Sequence, residues 1–322
     1  MIKRRLLVAL VMVVAMAPGT EATAQAYPGK PIRMIFGSSP GSATDLVSRV
    51  YAEQASKHLG VPIVVEARPG GGGVVAARLG ASADPDGYTI LFITSGVMTY
   101  PATVKNLGID MKTAFAPIIH LSTGSFVLAA SPKLPVKNLR ELVAHAKANP
   151  GKLNYGSSSS LYTLLHAQLE SRAGVLDVVP VMYKGAGDVL IAVLSGQVHY
   201  GYFSAQLISQ QIERGALVAI AATGSARNPV LPNVPTISEE AYPGFDFSFW
   251  DAVVAPRQTP PVIQDALWTA FYTGAQAPVV KESTRLGGKV ATLMKRDEFA
   301  RYYLRELDQT TELALRVGLK PE

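Results

Sequence analysis

The chain has 322 residues, and its 30 Lys and Arg against 24 Asp and Glu leave a formal net charge of +6. The charges are scattered and form no basic stripe, which argues against a nucleic-acid partner. Cysteine is absent, which excludes disulfides, thiolate metal sites and a lipid-modified N-terminal Cys, and the length suffices for two domains or one large one.

The first residues read as an address rather than as fold. Lys3, Arg4 and Arg5 precede an apolar run from Leu6 to Met16, and Ala24-Gln25-Ala26 fits a small-x-small cleavage site. The run is about half of the roughly 20 residues needed to span a bilayer, so a removed signal peptide over 1–26 is favoured over a retained anchor. Export to the periplasm with cleavage near Ala26 is the expectation, and a cysteine-free chain suits an oxidising compartment.

From there β-rich runs alternate with helical patterns. Pro31–Phe36 reads as a strand and Thr44–His58 as a helix. A strand at Pro62–Glu66 follows, then a helix behind Gly70–Gly73, then a strand at Thr89–Ile93. Between the first two lies "GSSPGSATD", in which Pro40-Gly41 makes a turn, Ser42 is a helix cap and Asp45 stands at the third helical position. The first turn of such a helix offers unpaired N–H groups and the positive end of the dipole, a setting that prefers a carboxylate. Capping alone also explains Ser42 and Asp45.

A second series begins with a strand at Phe126–Ala130 and a helix capped by Asn138, with Glu141 three residues on. Next come Leu153–Tyr155 (strand), Leu161–Ala173 (helix), Val178–Val181 (strand) and Gly187–Leu194 (helix). Tyr200–Phe203, Ala205–Arg214 and Val218–Ala222 continue the alternation. Here "YGSSSSLYTLLH" repeats the earlier arrangement: a strand ends, and Ser157, Ser158, Ser159 and Ser160 lead into a helix. A flexible serine linker is the alternative, but the serines sit inside the alternation. Arg227–Tyr242 reads as loop. Phe245–Ala255 reads as a long strand, and Pro261–Ala275 and Arg296–Leu315 as closing helices. The pattern predicts two α/β units crossed by the strands at 126–130 and 247–255, with a cleft between them.

Other chemistries fit less well. The glycines of "ARPGGGGVVAARLG" follow a strand and open a helix, as a dinucleotide fingerprint does, yet no acidic residue stands at the end of a following strand. Close helix–sheet packing accounts for them without a ligand. Ser157–Ser160 and His166 lack a Gly-x-Ser-x-Gly elbow. The five histidines form no close-spaced ligand set. Catalytic residues, metals and cofactors are therefore not expected.

Taken together, "YPGKPIRMIFGSSPGSATD", "EARPGGGGVVAA", "PDGYTILF", "ANPGKLNYGSS", "YKGAGDVLIAVLSGQV" and "LPNVPTISEEAYPGF" resemble the Bug receptors, the solute-binding proteins of tripartite tricarboxylate transporters. The resemblance runs along essentially the whole chain after residue 26. It implies a type II periplasmic-binding-protein fold, with two α/β domains, two crossover strands and an interdomain ligand cleft. Residues 27–124 plus 248–322 would form one domain and 125–247 the other. It further implies a small organic carboxylate as ligand, aliphatic or aromatic, a tripartite-type permease as partner, and a monomer. The same site would serve a sensor module presenting ligand to a two-component kinase; a periplasmic hydrolase is the third reading.

The family's first loop maps onto Ser38, Ser39, Gly41, Ser42, Thr44 and Asp45, with a further contribution from Ser95 and Gly96. The second loop maps onto Ser157–Ser160, with Tyr162 beside it, and the tyrosine-lysine-glycine loop onto Tyr183, Lys184 and Gly185. Relatives often carry an aspartate in the strand-to-helix loop after "GQV". This chain has Phe203 there, followed by Ser204, which argues against an amino-acid ligand. Phe203 would stack on an aromatic acid, or pack into the core.

Overall fold

A computed structural model describes residues 27–158, 160–183 and 185–319. The expected signal peptide, Ser159 and Lys184 lie outside the described residues, as does the side chain of Ser160.

The strands are β1 (Ile32–Phe36), β2 (Ile63–Ala67), β3 (Thr89–Thr94), β4 (Phe115–Ala130), β5 (Asn154–Ser157), β6 (Val179–Met182), β7 (Tyr200–Ser204), β8 (Val218–Ala222), β9 (Ser248–Pro256) and β10 (Lys289–Met294). The helices are α1 (Ala43–Leu59), α2 (Val74–Ala81), α3 (Tyr100–Thr103), α4 (Leu139–Ala148), α5 (Ser160–Ala173), α6 (Ala186–Ser195), α7 (Ala205–Glu213), α8 (Ile237–Glu240), α9 (Pro261–Ala275), α10 (Pro278–Leu286) and α11 (Arg296–Arg316).

Strand order runs β2-β1-β3-β9-β4-β7-β5-β6, with β8 and β10 both also on β4. β4 belongs to both halves of this order. Its first part pairs with β9 and β10, and its last five residues, Phe126–Ala130, pair with β7 and β8. The helices cover both faces of each half. Around β1 and β3, alternate residues point to opposite layers: Met34 and Phe36 meet Tyr51 of α1 and Phe271 of α9. Ile35 meets Val74 of α2 and Phe299 of α11. Around β4's far end, Leu128 joins Leu142 and Leu165, while Val127 joins Val189, Val193 and Ile208. This is the alternation of a sheet buried on both faces, and the α/β fold is the expected one.

Several features differ from the expectation, among them the short helices α3 and α8, the latter inside the 227–242 segment that reads as mostly loop. β4 begins at Phe115, eleven residues earlier than the β-rich run at 126. Pro117 and the Ser122-Thr123-Gly124 stretch hide it, and its register with β9 shifts at those two places, which marks bulges. Helix α10 and strand β10 were not read at all. β10 is an antiparallel edge strand with mixed exposure, so it lacks a continuous apolar run.

The glycine-rich stretch serves packing. A side chain at Gly37 would lie 2.6 Å from the Gly73 Cα, so the loop after β1 and the start of α2 approach backbone to backbone. Tyr100 closes the contact by donating to the Gly72 carbonyl at 2.9 Å.

Candidate functional site

The pairing register aims the strand ends at one zone. β3 is parallel to β1, and Thr94 lies level with Asp251 of β9, which lies level with Ser122 of β4. The loops leaving β1 and β3 therefore emerge toward residues 122–126 of β4. In the other half, Ser204 at the end of β7 pairs with Phe126, and β5 and β6 run parallel to β7. Their loops emerge toward the same stretch from the opposite side. Ligands of open α/β sheets sit at such carboxyl ends.

The loop after β1 is tightly held. Ser42 caps α1 by accepting from the Asp45 N–H at 3.2 Å, as expected. The Asp45 carboxylate does not reach back to the cap amide. One oxygen accepts from Gly41 N–H at 2.8 Å and the other faces Arg49 Nε at 2.7 Å. Asp45 is buried, with one oxygen hydrogen-bonded to Gly41 and the other in an ion pair with Arg49 but in no hydrogen bond, so it shapes the turn. Gly41, at φ +77°, occupies the left-handed conformation this turn requires. Among the described residues, the Ala43 and Thr44 N–H groups have no partner, and Ser38, Ser42 and Thr44 are half-buried beside them, with Ser39 exposed. These two amides sit at the positive end of a 17-residue helix. Ser95 is buried and Gly96 half-buried in a short 3-10 turn directly after β3.

Across from them, Ser157 ends β5 fully buried, Ser158 is half-buried, and α5 starts at Ser160. Tyr162, on its first turn, packs edge-on against Phe126 of β4 with ring centroids 5.2 Å apart. The second-unit loops are tied together, because Tyr183 N–H donates to the Ser157 carbonyl at 2.8 Å. The Tyr183 hydroxyl is buried and has no hydrogen-bond partner among the described residues. Gly185 and Ser204 are the backbone caps of α6 and α7, and neither provides a side-chain cap bond.

Beneath this loop lies an aromatic base. His166 packs 4.3 Å from Tyr155 between ring centroids, and its Nδ1 is 3.1 Å from the Tyr202 hydroxyl. Burial pushes its pKa down to about 4, so the imidazole is neutral at physiological pH. It supports the loop from within, packed on Tyr155 and bonded to Tyr202.

Of its two readings, Phe203 takes core packing, which corrects its expected role as a ligand contact. Its side chain is fully buried among Val127, Val189, Val193 and Ile208. Tyr200 and Tyr202 take the opposite face of β7, and with both faces of the strand buried, strand parity cannot separate a cleft position from a core one.

A cavity of about 660 Å³ adjoins this zone. Ser95 is the expected site residue that lines it. Leu161, next to the serine tract, also lines it, with Met98 and Thr99 behind Ser95 and further residues from α5, segment 244–248 and α11. The contribution of α11 was missed in the sequence. Its signal is the spacing of Tyr302, Glu306, Gln309 and Leu313, one face of a helix, but that face reads as ordinary surface until α5 is placed opposite it. The Ser38–Thr44 loop does not line this cavity. Among the described residues no cluster of His, Asp or Glu could hold a metal ion.

A family model described as "Tripartite tricarboxylate transporter family receptor" matches residues 47–319. The chain is 31% identical to Protein BugT of Bordetella pertussis over 309 residues, 92% of either chain. Two solved structures are similar along nearly their whole length. One is Rpa4515 of R. palustris with adipate, at 27% identity and a TM-score of 0.75, covering 92% of this chain and 100% of that one. The other is MatC of Rhodopseudomonas palustris with bound malate, at 26% identity and a TM-score of 0.71, covering 89% of this chain and 100% of that one.

Proposed function

The chain belongs to the tripartite tricarboxylate transporter receptor family, and on that premise we propose that it captures a small organic carboxylate in the periplasm and delivers it to a tripartite-type permease. Residues 27–124 with 248–322 act as one lobe and 125–247 as the other, hinged where β4 and β9 cross. No bond of the ligand is made or broken.

The observation that carries this reading is the convergence of strand ends from both halves on residues 122–126 of β4. Ala43 and Thr44 amides, flanked by Ser38, Ser42 and Thr44 hydroxyls, would take one carboxylate from the first lobe. Ser157–Ser160 and the start of α5 would take it, or a second carboxylate, from the other. The Tyr183 hydroxyl, buried without a partner, would donate to the ligand, since a buried hydroxyl left unpaired costs about 1–3 kcal/mol. Ser95, Gly96, Tyr162, Lys184, Gly185 and Ser204 complete the proposed lining, and Asp45 holds the first loop in shape. Relatives solved with adipate and malate support the ligand class.

The test is a thermal-shift panel on the protein lacking residues 1–26, with aliphatic and aromatic mono-, di- and tricarboxylates beside amines and neutral sugars. A true ligand at 100 times its Kd adds about 2.7 kcal/mol of stability. Stabilisation by amines or sugars alone would overturn the ligand class.

A further inference from the structure

The cavity beside the cleft joins the two proposed lobes, and its charged groups are arranged unevenly. Ser95 and Glu306 of α11 line one side; Leu161 and Asp246 line the other. Because Ser95 and Leu161 also lie at the cleft, a movement that closes the cleft narrows this cavity.

Asp246 is fixed in place. Its carboxylate accepts from Ser248 Oγ at 2.5 Å, and its carbonyl accepts from Gln168 Nε2 of α5 at 3.0 Å. Glu306 faces it from α11. Tyr302 and Arg305 stand beside Glu306 on the same helix, Trp250 comes from β9, and Arg172 from α5 lines the cavity opposite. The guanidinium of Arg305 lies over the Tyr302 ring at 5.3 Å, and Arg172 pairs with no carboxylate among the described residues. Farther along α11, Arg316 is taken by Glu312 at 2.8 Å. No guanidinium forms an ion pair with Glu306 or Asp246 among the described residues.

We propose that Glu306 and Asp246 form an acid-sensitive brake on lobe closure: with both ionised their repulsion holds α11 away from segment 244–248, and a proton on Glu306 releases it. The brake rests on the two-lobe reading above. Burial, first, and the Asp246 charge, second, raise the Glu306 pKa, while Trp250, Arg305 and Tyr302 lower it by less. Glu306 therefore takes up its proton at higher pH than a free glutamate, and the brake weakens as pH falls.

The chain has no cysteine, so the exposed pair Glu53→Cys and Lys152→Cys carries one spin label on each proposed lobe. Pulsed dipolar spectroscopy at pH 8 and pH 5, with no ligand present, reads the interlobe distance. The expected result is a short-distance population that grows severalfold on acidification. Glu306→Gln should show that enriched population at both pH values, and Asp246→Asn should do the same. A distribution unchanged between the two pH values, or a Glu306→Gln variant that keeps the original pH response, overturns the brake. Because no ligand is added, failure here is separate from failure of the carboxylate panel.

Discussion

At Ala43 a helix begins behind a turn that a buried carboxylate holds in place; at Ser160 another begins behind a strand end whose neighbours Ser157, Ser158, Leu161 and Tyr162 are all uncharged. The first start is organised from its own residues: Asp45 grips Gly41 and is itself gripped by Arg49. Its amides are fixed in direction before any ligand arrives, which limits the ordering cost of binding. The second start depends on what lies beneath it, an interlocked set of Tyr155, His166, Tyr200 and Tyr202. One half of the proposed site is set by local electrostatics and the other by packing, so different perturbations should disable them.

Acid should have the largest effect. His120 in the first half and His166 in the second are both buried, and burial lowers each pKa to about 4. In the unfolded chain each titrates near 6.5, so between pH 6.5 and 4 the unfolded state takes up protons that the folded state refuses. Stability is fully present above pH 6.5 and is lost as pH falls through that window, by about 3 kcal/mol per histidine at the lower end. Denaturant midpoints at pH 7 and pH 4.5 check this. His166→Gln should remove part of the loss, because it leaves no imidazole to charge on that side.

Asp45→Ala attacks the first start alone. It strips the Gly41 amide of its acceptor and Arg49 of its partner, which should cost about 2 kcal/mol of stability and weaken carboxylate affinity severalfold by loosening the turn that aims the Ala43 and Thr44 amides. Calorimetric titration with whichever acid stabilises the melt checks it, and the Tyr155–His166 packing should be undisturbed in near-ultraviolet circular dichroism. Tyr183→Phe attacks the second half. It should weaken affinity by about tenfold with stability unchanged or raised, since the hydroxyl has no partner to lose within the described protein. Ser42→Ala should have the smallest effect, about 1 kcal/mol of stability from the lost cap, read as a small drop in melting temperature.

Much of this organisation was legible in the chain. Alternating β-rich and helical runs placed most strands and helices within a few residues, because a sheet buried on both faces is written as short apolar runs divided by caps and turns. Ser42 as cap was readable from its spacing to Asp45. The destination of the Asp45 carboxylate was not, since Gly41 and Arg49 meet it only after the turn folds. Phe203 stayed open between cleft and core because a strand end beside a cleft and a strand end in a core carry the same residues. Strand β10 and the inner face of α11 escaped because both are amphipathic surface until a distant partner covers them.

Whether the two helix starts hold one carboxylate ligand together shows in the backbone amide resonances of the uniformly labelled protein as the stabilising acid is added. If both helix starts hold one ligand, Ala43 and Thr44 shift in step with Leu161 and Tyr162, with one shared Kd. Shifts confined to one helix start, or centred on Glu306 and Arg172 with both starts silent, would contradict the joint hold.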